Sequence, residues 1–272
     1  MPDFRVYCTP ASATPSEIAL SPEESHHLIV VNRARLGDLV VAFDGRGTEW
    51  TCELVGDRKA AALLKVGAQH TRKPLPHRIT LAQALPKGPA MDAIVRKATE
   101  IGAARIVPLE SERTQVHLEG ERSDRKLEKW HTAALEAAKQ CGNPFLPEIA
   151  PLQTATAFMA SVGGGGAGGG NSGAGGGDDG GVGCRCDLKL IASLAPGARS
   201  LKTALAEYRA QHQRAPQTAA WLIGPEGDFS PSELEAAEAH GWIPITLGPL
   251  VLRSETAATY ALSILSYELQ NS

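Results

Sequence analysis

Hydrophobic residues in the first quarter of the chain occur in short runs separated by turn residues. Runs rich in Val, Leu and Phe occupy 4–8, 39–43, 49–55 and 60–66. With Asp44-Gly45 as a tight corner, this spacing predicts a small antiparallel barrel or sandwich, and a short helix is predicted at His26-His27. The polar, proline-interrupted stretch at 71–76 predicts a semi-rigid linker, which places a domain boundary after residue 72.

Beyond this linker the pattern changes to alternating strands and helices. Strands are predicted at 77–85, 105–109, 218–223 and 243–247. Apolar residues at helical spacing predict helices from residue 86 to a stop at Gly102, over 124–140, and from Ser254 to about Leu269. Ser230-Pro231-Ser232-Glu233 has the form of a capping box. The alternation predicts an α/β domain with a mainly parallel sheet over residues 73–272.

Two strand-to-helix loops of this domain stand where parallel sheets bind ligands, beyond the carboxyl ends of their strands. The first is 224–230, whose glycines and proline a tight turn explains about as well as a binding role. The second is 247–257. There, a helix cap explains Ser254 and Glu255, but Arg253 is a cation at the end of a helix that favours anions.

Composition adds one segment to this picture. Of the 28 glycines in 272 residues, fourteen fall within 163–183. The rest of the chain is slightly poor in glycine, so the excess predicts a flexible, solvent-exposed insertion apart from the two loops. The formal net charge of −3 argues against a nonspecific polyanion-binding surface. Any contacts with nucleic acid are therefore expected from a few placed side chains.

Motifs for other chemistries are weak or absent. Neither loop has the form G-x-x-x-x-G-K-[ST], and no predicted strand is followed by G-x-G-x-x-G. The five cysteines favour a reducing compartment, and Cys184-x-Cys186 is better explained as two incidental thiols than as a metal site. We therefore expect no metal, no membrane span and a cytoplasmic location. A plastid or other organelle is the alternative if a transit peptide precedes residue 1.

The two loops, LIGPEG at 222–227 and LGPLVLRSETAA at 247–258, closely resemble the signature of the RsmE family. Its members methylate N3 of a uridine in small-subunit (16S) ribosomal RNA with S-adenosylmethionine. The resemblance covers most of the chain outside 155–215. It implies an RNA-binding, PUA-like β-barrel at 1–72 and, at 73–272, a SPOUT-type α/β methyltransferase domain tied in a trefoil knot, which periodicity cannot reveal. It also implies a homodimer that acts on the RNA, in the assembled subunit.

The same resemblance assigns roles to individual residues. Arg253 would stabilise the uracil anion, and Glu226 or Glu255 would act as the base or orient it, although a structural cap explains Glu255 equally well. Cofactor contacts are expected from Leu222, Ile223, Gly224, Pro225, Glu226, Gly227, Leu247, Gly248, Leu252, Arg253 and Thr256. Phosphate contacts are expected from Arg33, Arg35, Lys87 and Arg113, for each of which a solvated surface charge is at least as good an explanation.

The chain departs from the family pattern at four positions. Leu250 and Asn143 stand where arginines are usual, Asp228 where a second glycine is common, and Lys139 where a glutamate is frequent. The missing arginines could alter RNA contact or the dimer interface. Two other functions remain open: a noncatalytic RNA-binding relative, and a SPOUT methyltransferase that acts on another RNA position, such as a ribose 2′-OH.

Overall fold

The computed structural model describes residues 4–58, 61–116, 118, 120–164 and 185–270. The chain forms two compact units: Met1–Pro74 with Thr132–Leu146, and Leu75–His131 with Pro147–Ser272. One long helix, Glu121–Cys141, contributes residues to both units. Each unit has its own hydrophobic core.

The first unit is built on a five-stranded sheet. Its strands are β1 (Phe4–Tyr7), β2 (Glu17–Ala19), β3 (Leu39–Phe43), β4 (Thr48–Arg58) and β5 (Ala61–Thr71). They lie in the order β1-β3-β4-β5-β2. Helix α1 (Pro22–His26) continues into a π-helical turn, His27–Val31, which confirms the predicted short helix at His26-His27.

Strand β1 pairs with β3 in parallel, and the other pairs are antiparallel. The prediction of an antiparallel sheet is therefore wrong for this pair. The physical reason is the long connection between the two strands, which contains β2 and α1 and is long enough for the crossover that parallel strands need.

The predicted corner between β3 and β4 is confirmed. The Asp44 carboxylate accepts hydrogen bonds from the main-chain N–H groups of Arg46 (2.7 Å) and Thr48 (2.9 Å). Gly47 has φ +102°, and a Cβ there would lie 2.4 Å from the Phe145 ring. Only glycine therefore fits this turn.

Two of the departures from the family pattern have local structural roles in this unit. The Lys139 ammonium, largely buried, lies 2.5 Å from the Glu24 carboxylate. Glu24 in turn accepts the main-chain N–H of Tyr7 at 3.1 Å. The Asn143 side chain accepts the main-chain N–H of Phe145 at 3.0 Å, which shapes the turn after the long helix. A buried ion pair and an Asx turn thus account for both residues.

The second unit contains the remaining strands and helices, except that α3 also contributes its residues from Thr132 onward to the first unit. The strands are β6 (Arg78–Ala84), β7 (Arg105–Glu110), β8 (Glu148–Ile149), β9 (Gln153–Thr154), β10 (Gly163–Gly164), β11 (Arg185–Cys186), β12 (Leu188–Ala192), β13 (Thr218–Ile223) and β14 (Ile243–Ile245). The helices are α2 (Ala90–Ile101), α3 (Glu121–Cys141), α4 (Ala155–Ser161), α5 (Leu201–His212), α6 (Pro231–Ala239) and α7 (Ser254–Gln270).

The main sheet of this unit is parallel, as predicted. Its strands lie in the order β14-β12-β13-β6-β7-β8, and β9 also pairs with β7. The four strands predicted by periodicity are observed as β6, β7, β13 and β14. Helix α2 begins at Ala90, later than predicted, and ends at Gly102 with φ +93°, as a glycine stop requires. The trefoil knot stays a prediction.

The glycine tract begins in this unit. Its first two residues form β10, which pairs in parallel with β11. The predicted flexible insertion covers residues 163–183. Of these, residues 165–183 lie outside the described part of the chain, as does Cys184.

His77, just before β6, gives a first testable prediction. The side chain is buried, and neither ring nitrogen has a hydrogen-bond partner among the described residues. Burial lowers the pKa of His77 because it disfavours the charged ring. Below about pH 6.5 the unfolded chain therefore binds a proton that the folded chain resists, and stability falls as pH falls.

We expect His77→Leu to raise the free energy of unfolding, since it removes two unpaired polar atoms from the interior. This gain in the free energy of unfolding should grow by about 1 kcal/mol as the pH falls from ~7.5 to ~5.5. Urea denaturation of both proteins at the two pH values measures it. A gain independent of pH would show that His77 titrates normally in the folded state.

Candidate functional site

The carboxyl ends of three neighbouring strands of the main sheet, β12, β13 and β14, border a cavity of about 300 Å³. This is the position predicted for ligand binding. The cavity is lined by Ala192, Ser193, Leu194, Ile223, Gly224, Pro225, Glu226, Asp228, Leu247, Gly248, Leu250, Val251, Leu252, Arg253, Ser254 and Ala257.

The first loop, residues 224–230, connects β13 to α6 through a tight turn. The Asp228 N–H donates to the Pro225 carbonyl at 3.0 Å. A Cβ at Gly224 would lie 3.1 Å from the Asp228 carboxylate and 3.3 Å from its Cα, so the turn itself favours glycine. Ser230 then forms the predicted capping box with Glu233. The residues that form this turn therefore also line the cavity.

Residues 111–113, which follow β7, hold the first loop in place. The Glu112 N–H donates to the Glu233 carboxylate at 2.9 Å, and the Ser232 hydroxyl donates to the Glu112 carboxylate at 3.1 Å. The Arg113 guanidinium donates to the Gly227 carbonyl at 2.9 Å. Arg113, a candidate for binding RNA phosphate, is thus an exposed residue with a structural contact to the loop.

Glu226 is the exposed carboxylate of the first loop. It lines the cavity and accepts the main-chain N–H of Lys87 at 2.9 Å. Through this bond the backbone of Lys87, another predicted RNA contact, lies beside the first loop. The Lys87 side chain is exposed.

The second loop, residues 247–257, follows β14 and runs into the first turn of α7. It turns at Gly248, where φ is +111°, and the Gly248 N–H donates to the Thr246 hydroxyl at 3.2 Å. The Leu250 and Val251 side chains are 73% and 82% exposed. Arg253 lines the cavity and is exposed, and the described residues offer its side chain no hydrogen-bond or ion-pair partner.

Ser254 joins the two loops. Its hydroxyl donates to the Gly224 carbonyl at 2.9 Å and accepts from the Gln83 side-chain amide at 2.9 Å. Gln83, at the end of β6, is fully buried, and its amide also donates to the Ala84 carbonyl at 2.7 Å. Gln83 is not among the residues predicted from the sequence, although a polar residue at the end of a buried strand is a recognisable signal.

The structure brings together most of the residues proposed for the cofactor. Those that line the cavity are Ile223, Gly224, Pro225, Glu226, Leu247, Gly248, Leu252 and Arg253. Leu222 is fully buried one residue earlier. The lining does not include Gly227, Thr256 or the candidate base Glu255.

One wall of the cavity is formed by residues that were not predicted from the sequence. This wall is Ala192, Ser193 and Leu194, at the end of β12. The strand falls within 155–215, where no family resemblance guided the assignment of elements. Further lining residues that were not predicted are Asp228, Leu250, Val251, Ser254 and Ala257.

Arg33 and Arg35 lie in the first unit, directly after the π-helical turn. Both side chains are exposed, and Arg33 has φ +59°. The Arg35 N–H donates to the Asp38 carboxylate at 2.7 Å, which fixes the turn before β3. Exposure leaves both guanidinium groups accessible to an anionic partner.

The part of the chain that the structure describes has no group of three or more His, Cys, Asp or Glu side chains that could hold a metal ion. Its helices include none with the length and apolar character needed to cross a membrane. Burial raises the pKa of Cys8 to about 12 and that of Cys52 to about 11, so both are unreactive thiols near neutral pH.

Comparison with known proteins defines the class of this chain. The family model for an RNA methyltransferase domain matches residues 73–266. The model for an RNA methyltransferase PUA domain matches residues 20–66. The fold and site are therefore those of an RNA methyltransferase with an N-terminal PUA domain.

Individual relatives narrow this class. Ribosomal RNA small subunit methyltransferase E of Synechocystis is 30% identical over 98% of this chain and 78% of its own length. The Bacillus subtilis protein of the same name is 28% identical over 93% and 90%. The structure of the Neisseria gonorrhoeae protein, bound to S-adenosyl methionine, has a TM-score of 0.77 at 26% identity and 97% coverage of both chains. The chain belongs to the ribosomal RNA small subunit methyltransferase E family, which confirms the resemblance to RsmE.

Proposed function

We propose that this protein transfers a methyl group from S-adenosylmethionine to N3 of a uridine in small-subunit ribosomal RNA. The observation that carries the proposal is the cavity at the carboxyl ends of β12, β13 and β14. It is built by the two loops that carry the family signature, in a chain that belongs to the family.

The cavity fits this cofactor in shape and chemistry. Ile223, Leu247, Leu252 and Ala257 supply apolar walls suited to an adenine ring. Turns at Gly224 and Gly248 let main-chain groups approach a ligand closely. The carboxylates of the first loop suit a ligand that carries positive charge. S-adenosylmethionine supplies a methyl group on positively charged sulfur, an electrophile that needs no metal.

The nucleophile needs more help than the methyl donor. N3 of uracil holds an imide proton at neutral pH, so the site must accept that proton and stabilise the charge left on O2 and O4. In this proposal Arg253 stabilises the anion, because this residue lines the cavity and its guanidinium has no partner among the described residues. The N3 lone pair then forms the new bond to the methyl carbon while the carbon–sulfur bond breaks.

Two carboxylates are candidates for accepting the proton. Glu226 is the better placed, since it lines the cavity and the Lys87 N–H orients one of its oxygens. Glu255 lies in the first turn of α7, half-buried and outside the lining, which favours a capping role for it. We therefore assign the base to Glu226.

The RNA substrate must present its target base outside a duplex. N3 lies on the Watson–Crick edge, so the uridine has to be unpaired or extruded. Contacts with RNA phosphates are proposed for Arg33, Arg35, Lys87 and Arg113. The proposed substrate is the assembled small subunit. The proposed location of the protein is the cytoplasm, as in bacteria.

Mass spectrometry of digested RNA tests the proposed reaction. Small subunits that lack the mark are incubated with the protein and S-adenosylmethionine, and 3-methyluridine is expected to appear. A 2′-O-methylated nucleoside instead would identify a different target. RNA binding without cofactor affinity or methylation would identify a noncatalytic relative.

A homodimer formed through α7 is part of the same proposal. One face of this helix carries an exposed stripe of residues at alternating spacings of four and three. The stripe consists of Thr256, Tyr260, Ser263, Tyr267 and Gln270. Two exposed tyrosines on one helix face are typical of an interface rather than of a solvated surface.

Tyr267→Asp is expected to weaken the dimer about thirtyfold, because the carboxylate would be buried without a partner. Analytical ultracentrifugation across a concentration series measures this change. Val31→Asp, at an exposed apolar residue of the first unit, is the matched control and should leave the association unchanged. An unaltered dimer in Tyr267→Asp would exclude the stripe as the interface.

A further inference from the structure

The cofactor cavity carries an excess of negative charge. The ionisable residues that line it are two acidic residues, Glu226 and Asp228, and one basic residue, Arg253. Glu226 is anchored by the Lys87 N–H. Asp228 therefore determines whether the lining is negative or neutral overall.

The backbone at Asp228 does not require this charge. Its φ is +60°, a left-handed conformation that glycine adopts freely and that Asn and Asp tolerate. One carboxylate oxygen accepts the Phe229 N–H at 2.8 Å, a role that an asparagine side-chain oxygen could fill equally well. The other oxygen has no hydrogen-bond or ion-pair partner among the described residues. The turn thus explains a small polar residue at 228 but not an anion.

We propose that Asp228 is a specificity-determining residue that makes the cavity favour S-adenosylmethionine over its product, S-adenosylhomocysteine. The inference rests on the proposed function. Loss of the methyl group converts a positively charged sulfur to a neutral thioether and leaves the rest of the molecule unchanged. A fixed negative charge in the cavity therefore stabilises the donor relative to the product.

The consequence concerns exchange of product for donor. An interaction that weakens once the sulfur becomes neutral helps the product to leave and a new donor to bind, and it limits product inhibition. It does not speed the chemical step, because the donor is stabilised before transfer.

Isothermal titration calorimetry with each ligand tests the inference without any methylation assay. Asp228→Asn keeps the size, the tolerance of positive φ and the acceptor for Phe229, and removes only the charge. It is expected to lower affinity for S-adenosylmethionine about tenfold and affinity for S-adenosylhomocysteine less than about twofold. High salt should reduce the difference. Glu235→Gln, at an exposed carboxylate of α6 outside the cavity, is the matched control and should change neither affinity.

The outcomes separate this inference from the function on which it rests. Equal losses for both ligands, or no loss for either, would overturn the role of Asp228 and leave the proposed methyl transfer intact. Wild-type protein that binds neither ligand would overturn both. If Asp228→Asn proves unstable, Asp228→Gly removes the same charge at a φ that suits glycine better, and the same selective loss is expected.

Discussion

Arg253→Ala is expected to lower the rate of RNA methylation about a hundredfold to a thousandfold without weakening S-adenosylmethionine binding. Arg253 lines the cavity and its guanidinium has no partner among the described residues, so its removal breaks no structural contact. It also lies near a helix N-terminus, where a cation is mildly unfavourable. The melting temperature should therefore stay the same or rise slightly.

The separation of binding from chemistry is the informative part of this prediction. Without Arg253 the cavity keeps two carboxylates and no cation, so a positively charged cofactor should bind at least as tightly. Single-turnover methylation and calorimetry on the same preparation measure the two effects. Arg253→Lys keeps the charge but loses the planar fork, and an intermediate rate is expected. Methylation by Arg253→Ala within about threefold of wild type would remove Arg253 from the mechanism.

The pattern of the sequence predicted the parallel sheet where its signals are strong. β6, β7 and β13 are largely buried runs bounded by clear turn residues, and Ser230 carries a complete capping box. Gly102 and Asp44 mark turns by chemistry that acts within a few residues. Such local signals need no knowledge of the rest of the fold.

Features that depend on distant residues could not be predicted in this way. β12 is only five residues long and follows the glycine tract, yet its end forms one wall of the cavity. The parallel pairing of β1 with β3 depends on the path of an intervening segment. The placement of residues 132–146 with the first unit likewise depends on contacts that helical periodicity does not encode.

The candidate site was predicted in part, because family resemblance and local chemistry identify different residues. The resemblance identified both loops, including Glu226 and Arg253, which line the cavity. It treated Asp228 only as a departure from a glycine, whereas the φ of +60° explains why glycine is common at such a position. Gln83 lies 171 residues from Ser254 in the chain, so only the fold reveals their hydrogen bond.

Gly248→Ala is expected to weaken S-adenosylmethionine binding about tenfold to a hundredfold. At φ +111° an L-residue is strained by about 1–3 kcal/mol. Nothing lies within 4 Å of the position that a Cβ would take, so the penalty comes from the backbone alone. Gly248 is exposed in the second loop, so we expect the loop of the alanine variant to relax to a negative φ when no ligand is bound.

The relaxed loop would lose the hydrogen bond from the Gly248 N–H to Thr246 and displace Leu247 and Leu252 from the cavity wall. Binding would then have to restore the strained turn, so the strain should appear as lost affinity and not as a lower melting temperature of the free protein. Gly197→Ala is the matched control, because that glycine has neither a positive φ nor an atom within 4 Å of the added Cβ. Calorimetry should give wild-type affinity for Gly197→Ala. Equal affinities for the two variants would mean that the turn at Gly248 does not shape the bound cavity.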